Sequence, residues 1–208
     1  MRAKMVLLIN SGLRNGNRKR NKQNNNIMQY TITDDTVRFI SQWEGFKSKA
    51  YWDSTGHVWT IGYGHTSGVN KDMTCTKAKA LEWLKTDAGK VARYINSLDM
   101  NITQAQFDAL VSFGYNVGVG NLKQSTLLRY AKHTAPAGNV MAEFYKWVHS
   151  GGKVLPGLVL RREGEAMLYG DGKYATMKEA EAHIVKRKGK DWQNGETITI
   201  SNNNKKIE

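Results

Sequence analysis

The chain has 208 residues, 40% hydrophobic and 10% aromatic, with only two prolines; that suits one medium domain and excludes a wholly disordered or collagen-like polymer. The single Cys75 leaves no internal disulfide and no cysteine-based zinc site, and it fits a fold that does not need oxidation. The net charge of +13 points toward an anionic partner: nucleic acid, a membrane surface or a cell-wall polyanion.

That charge is unevenly spread. Residues 1–30 carry +7 and residues 183–208 carry +3, so the 152 residues between them carry only +3. Both ends are Asn/Lys/Arg-rich with little to bury, which reads as a basic, disordered extension over 1–30 and a basic polar tail over 183–208, flanking one domain at 31–182. The apolar run from Met5 to Ile9 is five residues, shorter than the roughly 7–15 of a signal-peptide core and far short of a membrane span of about 20. Met28 stands just before the first periodic segment, so residues 1–27 read either as an upstream translational extension or as a functional basic arm.

In chain order, the first element is a helix. Thr33 is its N-cap, Asp34 and Asp35 place negative charge in the first turn, Val37, Phe39, Ile40 and Trp43 supply the apolar stripe, and Gly45 is the stop. Residues 50–64 change to aromatic and β-branched pieces broken by Asp53-Ser54-Thr55-Gly56, which predicts strand, turn, strand. Helices return after Asn70: one capped by Thr76, one opened by a Thr103/Gln106 capping box, and three more over 123–131, 140–147 and 158–169. The predicted class is α+β, mostly helical, with one small early hairpin and no internal repeat.

The chemistry begins at the end of the first helix. Glu44 sits at the negative end of the helix dipole between Trp43 and Phe46, surroundings that disfavour its ionised form, while Asp53 opens a polar turn that keeps a carboxylate charged. Two carboxyl groups with such different surroundings are what acid–base cleavage of a glycosidic bond requires. Taken alone, the same two residues read more simply as a helix-end Glu and a turn Asp, and Thr60 as a strand filler.

The run from Glu44 to Thr66, EGFKSKAYWDSTGHVWTIGYGHT, is similar to the catalytic segment of phage-type lysozymes, the endolysins of glycoside hydrolase family 24. The stretches ALVSFGYNVGVGNLKQSTLL and GGKVLPGLVLRREGEAMLY follow in the right order, and the likeness covers roughly residues 31–170. The resemblance implies a lysozyme-like fold with the hairpin beside an active-site cleft. It implies a peptidoglycan hydrolase that cuts the β-1,4 bond between N-acetylmuramic acid and N-acetylglucosamine, with inversion favoured. Glu44 would be the proton donor, Asp53 the second carboxylate and Thr60 the hydroxyl that helps hold water, with substrate contacts from Thr66 and Phe113, although Phe113 is equally a core residue. One of Arg161 and Arg162 would approach Glu44, where solvent-exposed charge is otherwise the usual explanation for such a pair.

The turn between Asp53 and Thr60 is one residue longer than the family pattern. A slip of one residue in a strand would turn Thr60 away from Asp53, so the turn around Gly56 and His57 is expected to absorb it. If it does not, hydrolysis would be slow or absent. The alternative reading, motivated by this longer turn and by the basic tails, is a catalytically silent wall-binding homologue. His65 is expected to be structural, and the five histidines show no metal-ligand spacing. No cofactor, metal, nucleic-acid partner or membrane span is expected. The expected enzyme is a monomer held in the host cytoplasm until a separate membrane-permeabilising protein releases it to the wall, with tails that could be drawn to an anionic envelope.

Overall fold

The structure, a computed structural model, describes residues 29–54 and 56–187. Helix α1 spans Asp34–Glu44 and the hairpin follows as β1, Lys47–Asp53, and β2, Val58–Gly62. Then come α2 (Lys77–Asn96), α3 (Gln104–Gln124), α4 (Thr126–Lys132), α5 (Ala137–Phe144), the two-residue strands β3 (His149–Ser150) and β4 (Lys153–Val154), α6 (Pro156–Asp171) and α7 (Met177–Arg187). The fold is α+β and predominantly helical, as the sequence predicts.

The predicted start signals act as caps. The Thr33 hydroxyl accepts from the Thr36 amide while Thr36 Oγ1 accepts from the Thr33 amide, and Thr103 and Gln106 form the same reciprocal box on α3. Val37, Phe39 and Ile40 of α1 are buried, each contributing about 1.5–3 kcal/mol of transfer free energy. The Thr36 hydroxyl also donates to buried Asp108 at 2.9 Å, which ties α1 to α3. Gly45 then takes φ +64, a left-handed conformation that glycine adopts without steric penalty, and turns the chain from α1 into β1.

Helix α3 runs through the core, with Phe107, Leu110, Val111 and Phe113 fully buried, and it bends at Gly118. Helices α2 and α6 flank it, and α5 and α7 pack on α6. Among the described residues no helix is long and apolar enough to cross a membrane.

Two parts of the fold depart from the sequence expectation. The body does not stop at residue 182, because α7 continues to Arg187 and Ile184 is buried against Val148 and Val159. The β3–β4 hairpin, with His149 opposite Val154 across Gly151-Gly152, was not predicted either. The expected extension over 1–30 and the rest of the tail beyond Arg187 lie outside the described residues, except that Tyr30 belongs to the body. Its ring stacks on Phe107 and its amide donates to Asn96 Oδ1.

Packing between α1 and α6 is closest at Gly164, where a Cβ would lie 2.5 Å from Trp43 Cζ2. Gly164→Ala should therefore lower stability by about 1–3 kcal/mol, the ordinary cost of overpacking a core. Thermal unfolding measures it, and an unchanged melting temperature would contradict this packing.

Candidate active site

Glu44 is the last residue of α1, so the caps and core contacts of that helix fix its position. Its Oε1 accepts from Arg161 Nη1 at 2.5 Å, and its side chain keeps 18% exposure. Arg161 lies on α6 and is almost wholly buried. Its Nε donates to Glu165 Oε1 at 3.0 Å and its Nη2 to the Ser112 carbonyl at 3.1 Å. Burial alone would lower the Arg161 pKa, but the charges of Glu44 and Glu165 outweigh it and the net shift is upward.

Behind this pair, Glu165 accepts also from Ser112 Oγ and from Arg162 Nη1, and the Arg162 guanidinium lies over the Phe113 ring at 4.9 Å. Burial pushes Arg162 below its ordinary value against the opposing pull of Glu165. The expectation of a solvent-exposed charged face is thus corrected: Arg161, Arg162, Glu163 and Glu165 are all buried. The charges can go inside because i,i+3 and i,i+4 pairs on α6 answer one another, and Glu163 accepts from Tyr145 and contacts His183 of α7. Arg161 is the member of the pair that approaches Glu44.

The hairpin answers the question of the longer turn. Asp53 pairs with Val58, Trp52 with Trp59 and Tyr51 with Thr60. Cross-strand partners share a face and so do residues two apart, so Tyr51, Asp53, Val58 and Thr60 all lie on one face. The additional residue therefore falls within the connection at 54–57, where His57 takes φ +50. The register irregularity of the hairpin lies instead between Lys47 and Tyr51. That stretch of β1 bonds elsewhere, with the Ala50 amide donating to the Met73 carbonyl and the Cys75 amide to the Ser48 carbonyl, each at 2.9 Å. Thr60 is 4% exposed, and its hydroxyl makes one long bond of 3.4 Å to the Val58 carbonyl.

Tyr51, on the same face of the hairpin as Asp53 and Thr60, was not singled out from the sequence. Burial pushes its phenol pKa upward, and the negative charges of Asp53 and then Glu44 push it further; both carboxylates act on one side chain that is still 42% exposed. Tyr115 is raised by burial and then by Glu44, and its hydroxyl donates to the Tyr63 carbonyl at 2.8 Å, bracing the start of the loop after β2. The sequence signal for Tyr51 was its position two residues before Asp53 on a strand.

The remaining expected residues divide. Thr66 is exposed just beyond the Ile61–His65 bridge and is open to a ligand. Phe113 is not: it is fully buried, edge-on to Phe144 and Trp147, so its ring presents no surface to a sugar and belongs to the core. His65 stacks on Trp83 at 4.8 Å, and its Nδ1 lies 2.6 Å from Asp87 Oδ2, a structural role. Among the described residues no group of three or more His, Cys, Asp or Glu side chains is placed to hold a metal ion.

A helical body with a small hairpin, and a helix-end carboxyl between them held by a buried arginine, places the chain among lysozyme-fold proteins. It superimposes on the muramidase domain of SpmX from Asticaccaulis excentricus with a TM-score of 0.63 and 30% identity, covering 67% of this chain and 97% of that one. A P22 phage lysozyme variant gives a TM-score of 0.59 at 32% identity, covering 67% and 97%. Residues 41–165 match the family model described as phage lysozyme, a span that runs from α1 through Glu165, and the chain belongs to the phage lysozyme family. It is 44% identical over 147 residues to an endolysin of Bacillus phage B103, covering 66% of this chain and 53% of that relative. An endolysin of Acyrthosiphon pisum secondary endosymbiont phage 1 is 34% identical over 143 residues, covering 66% and 97%. The chain spans about half the length of the Bacillus phage endolysins it matches.

Proposed function

We propose that the chain is a peptidoglycan hydrolase, an N-acetylmuramidase that cleaves the β-1,4 bond between N-acetylmuramic acid and N-acetylglucosamine and acts as a monomer. The observation that carries this reading is the hairpin register, which puts Asp53 and Thr60 on one face while Arg161 holds Glu44 at the end of α1. Glu44 protonates the bridging oxygen. Asp53 and the Thr60 hydroxyl orient a water for attack at the anomeric carbon and offset the positive charge that develops there. A hydroxyl suits this task because it can donate to a carboxylate and accept from a water at once. Thr66 and Tyr51 would contact the glycan. The silent wall-binding alternative rested on the longer turn and on the basic tails, and a register with Thr60 on the Asp53 face gives the first of these no support.

Purified peptidoglycan should lose turbidity when the protein is added. Asp53→Asn and Thr60→Val should each reduce the rate, Asp53→Asn by about 10²–10⁴-fold, with melting temperatures near that of the parent. Full activity in Asp53→Asn would remove Asp53 from the mechanism. Proton NMR of the fresh product would assign the anomeric outcome, for which inversion is expected.

Delivery to the wall by a separate membrane-permeabilising protein is the further part of the proposal. Expression with and without such a protein tests it: lysis only in its presence supports the route, and lysis by the chain alone overturns it.

A further inference from the structure

On another part of the molecule, the C-terminal part of α2, the end of α3 and α4 enclose an open cavity of about 320 Å3. Its walls include Tyr94, Lys123, Ser125, Arg129, Lys132 and His133, and it shares no residue with the Glu44, Asp53 and Thr60 constellation. Among the described residues, no aspartate or glutamate lines it. Lys123, Arg129 and Lys132 form no ion pair among the described residues; other surface lysines such as Lys71 and Lys77 share that, and what distinguishes these three is that they line one cavity. In a body whose net charge over 31–182 is only +3, three unpaired cations around one concavity form a local excess that attracts anions.

We propose that this cavity binds the phosphodiester backbone of an anionic polyol-phosphate polymer of the bacterial wall. The Arg129 guanidinium, which donates to the Thr126 hydroxyl at 3.5 Å, carries a fork of donors that matches phosphate oxygens, and the two lysines supply point charges. Thr126 adds a hydroxyl along the wall of the cavity, while the Ser125 hydroxyl is committed to the start of α4, donating to the Leu122 carbonyl and accepting from the Leu128 amide. A nucleic acid fits less well: the Lys123 ammonium lies over the Tyr94 ring at 4.6 Å, so the face it covers is not offered to a stacking base. A membrane surface fits less well too, because among the described residues the exposed large apolar side chains, Tyr51, Trp52, Leu155, Tyr174, Met177 and Val185, do not line the cavity. The source of the polymer rests on the wall-hydrolase reading. The site would hold the enzyme at the wall while the cleft works on the glycan.

The test uses the full chain carrying Glu44→Gln, so that binding is read without turnover, and a short glycerol-phosphate oligomer as the probe. Calorimetry should give a dissociation constant that rises about tenfold or more in Lys123→Gln/Arg129→Gln/Lys132→Gln, as expected for the loss of charged hydrogen bonds. The charge-matched control Lys71→Gln/Lys77→Gln/Lys178→Gln should bind as the parent does, and amide shifts on titration should centre on Tyr94 and Ser125. Equal weakening in both triple variants, or shifts elsewhere, would overturn the proposal. So would tighter cavity-dependent binding of a single-stranded oligonucleotide or of phosphatidylglycerol vesicles. Oligomer binding by a protein whose wild type does not cut peptidoglycan would keep the site and overturn the hydrolase reading instead.

Discussion

Glu44→Gln should abolish turnover of peptidoglycan while leaving the protein folded, a fall of about 10³-fold or more for loss of the general acid. A glutamine amide can still accept the hydrogen bond from Arg161 Nη1 through its oxygen, but it has no acidic proton for the leaving oxygen. Arg161 also keeps Glu165 at 3.0 Å and the Ser112 carbonyl at 3.1 Å, so the guanidinium is not left unpaired. The two effects therefore separate: catalysis disappears and the thermal transition barely moves. Activity equal to the parent would remove Glu44 from its role, and a collapse of the fold would show that its charge is structural.

The second large effect belongs to Glu165, which has no part in the chemistry. Its carboxylate is fully buried and serves Arg161, Arg162 and Ser112 together. Glu165→Leu strands two guanidinium groups side by side in the interior with only Glu44 to answer them, and breaking a buried ion pair from one side costs about 3–5 kcal/mol. For a chain of this size that is a drop of about 6–20 °C in melting temperature. The double variant Arg162→Leu/Glu165→Leu removes one stranded charge with its partner and should be less destabilised than the single one. Differential scanning calorimetry on the parent and both variants makes the comparison. A single variant as stable as the parent, or a double variant worse than the single, would contradict the account of the α6 network.

Much of this arrangement could be read from the residues, because it is set by local chemistry. Thr33 and Thr103 cap the helices they were expected to cap, and Asp53-Ser54-Thr55-Gly56 marks the hairpin, since capping hydroxyls and turn residues act within a few positions of where they stand. That one of Arg161 and Arg162 approaches Glu44 came from family likeness rather than from spacing, because 117 residues separate Arg161, the one that does, from Glu44. What stayed hidden was decided by packing between distant elements. Arg161, Arg162, Glu163 and Glu165 look like a solvated face in sequence, and only the enclosure of α6 by α3, α5 and α7 turns them inward. Phe113 sits inside a family motif, yet α3 lies so deep that its ring is fully buried and packs on Phe144, Trp147 and Arg162. Helix α7 escaped notice because Ala180 and Ile184 are a thin apolar stripe among charges. Tyr51 escaped because its significance depends on a register that only the paired strands reveal.

The central claim is that this site cuts the glycan on the reducing side of N-acetylmuramic acid by hydrolysis. Mass spectrometry of borohydride-reduced products from purified peptidoglycan tests it most directly. Muramidase action by the wild type should yield muropeptides ending in reduced N-acetylmuramic acid, and the Glu44→Gln protein should yield none. Fragments ending in reduced N-acetylglucosamine, or in anhydromuramic acid, would contradict the assignment.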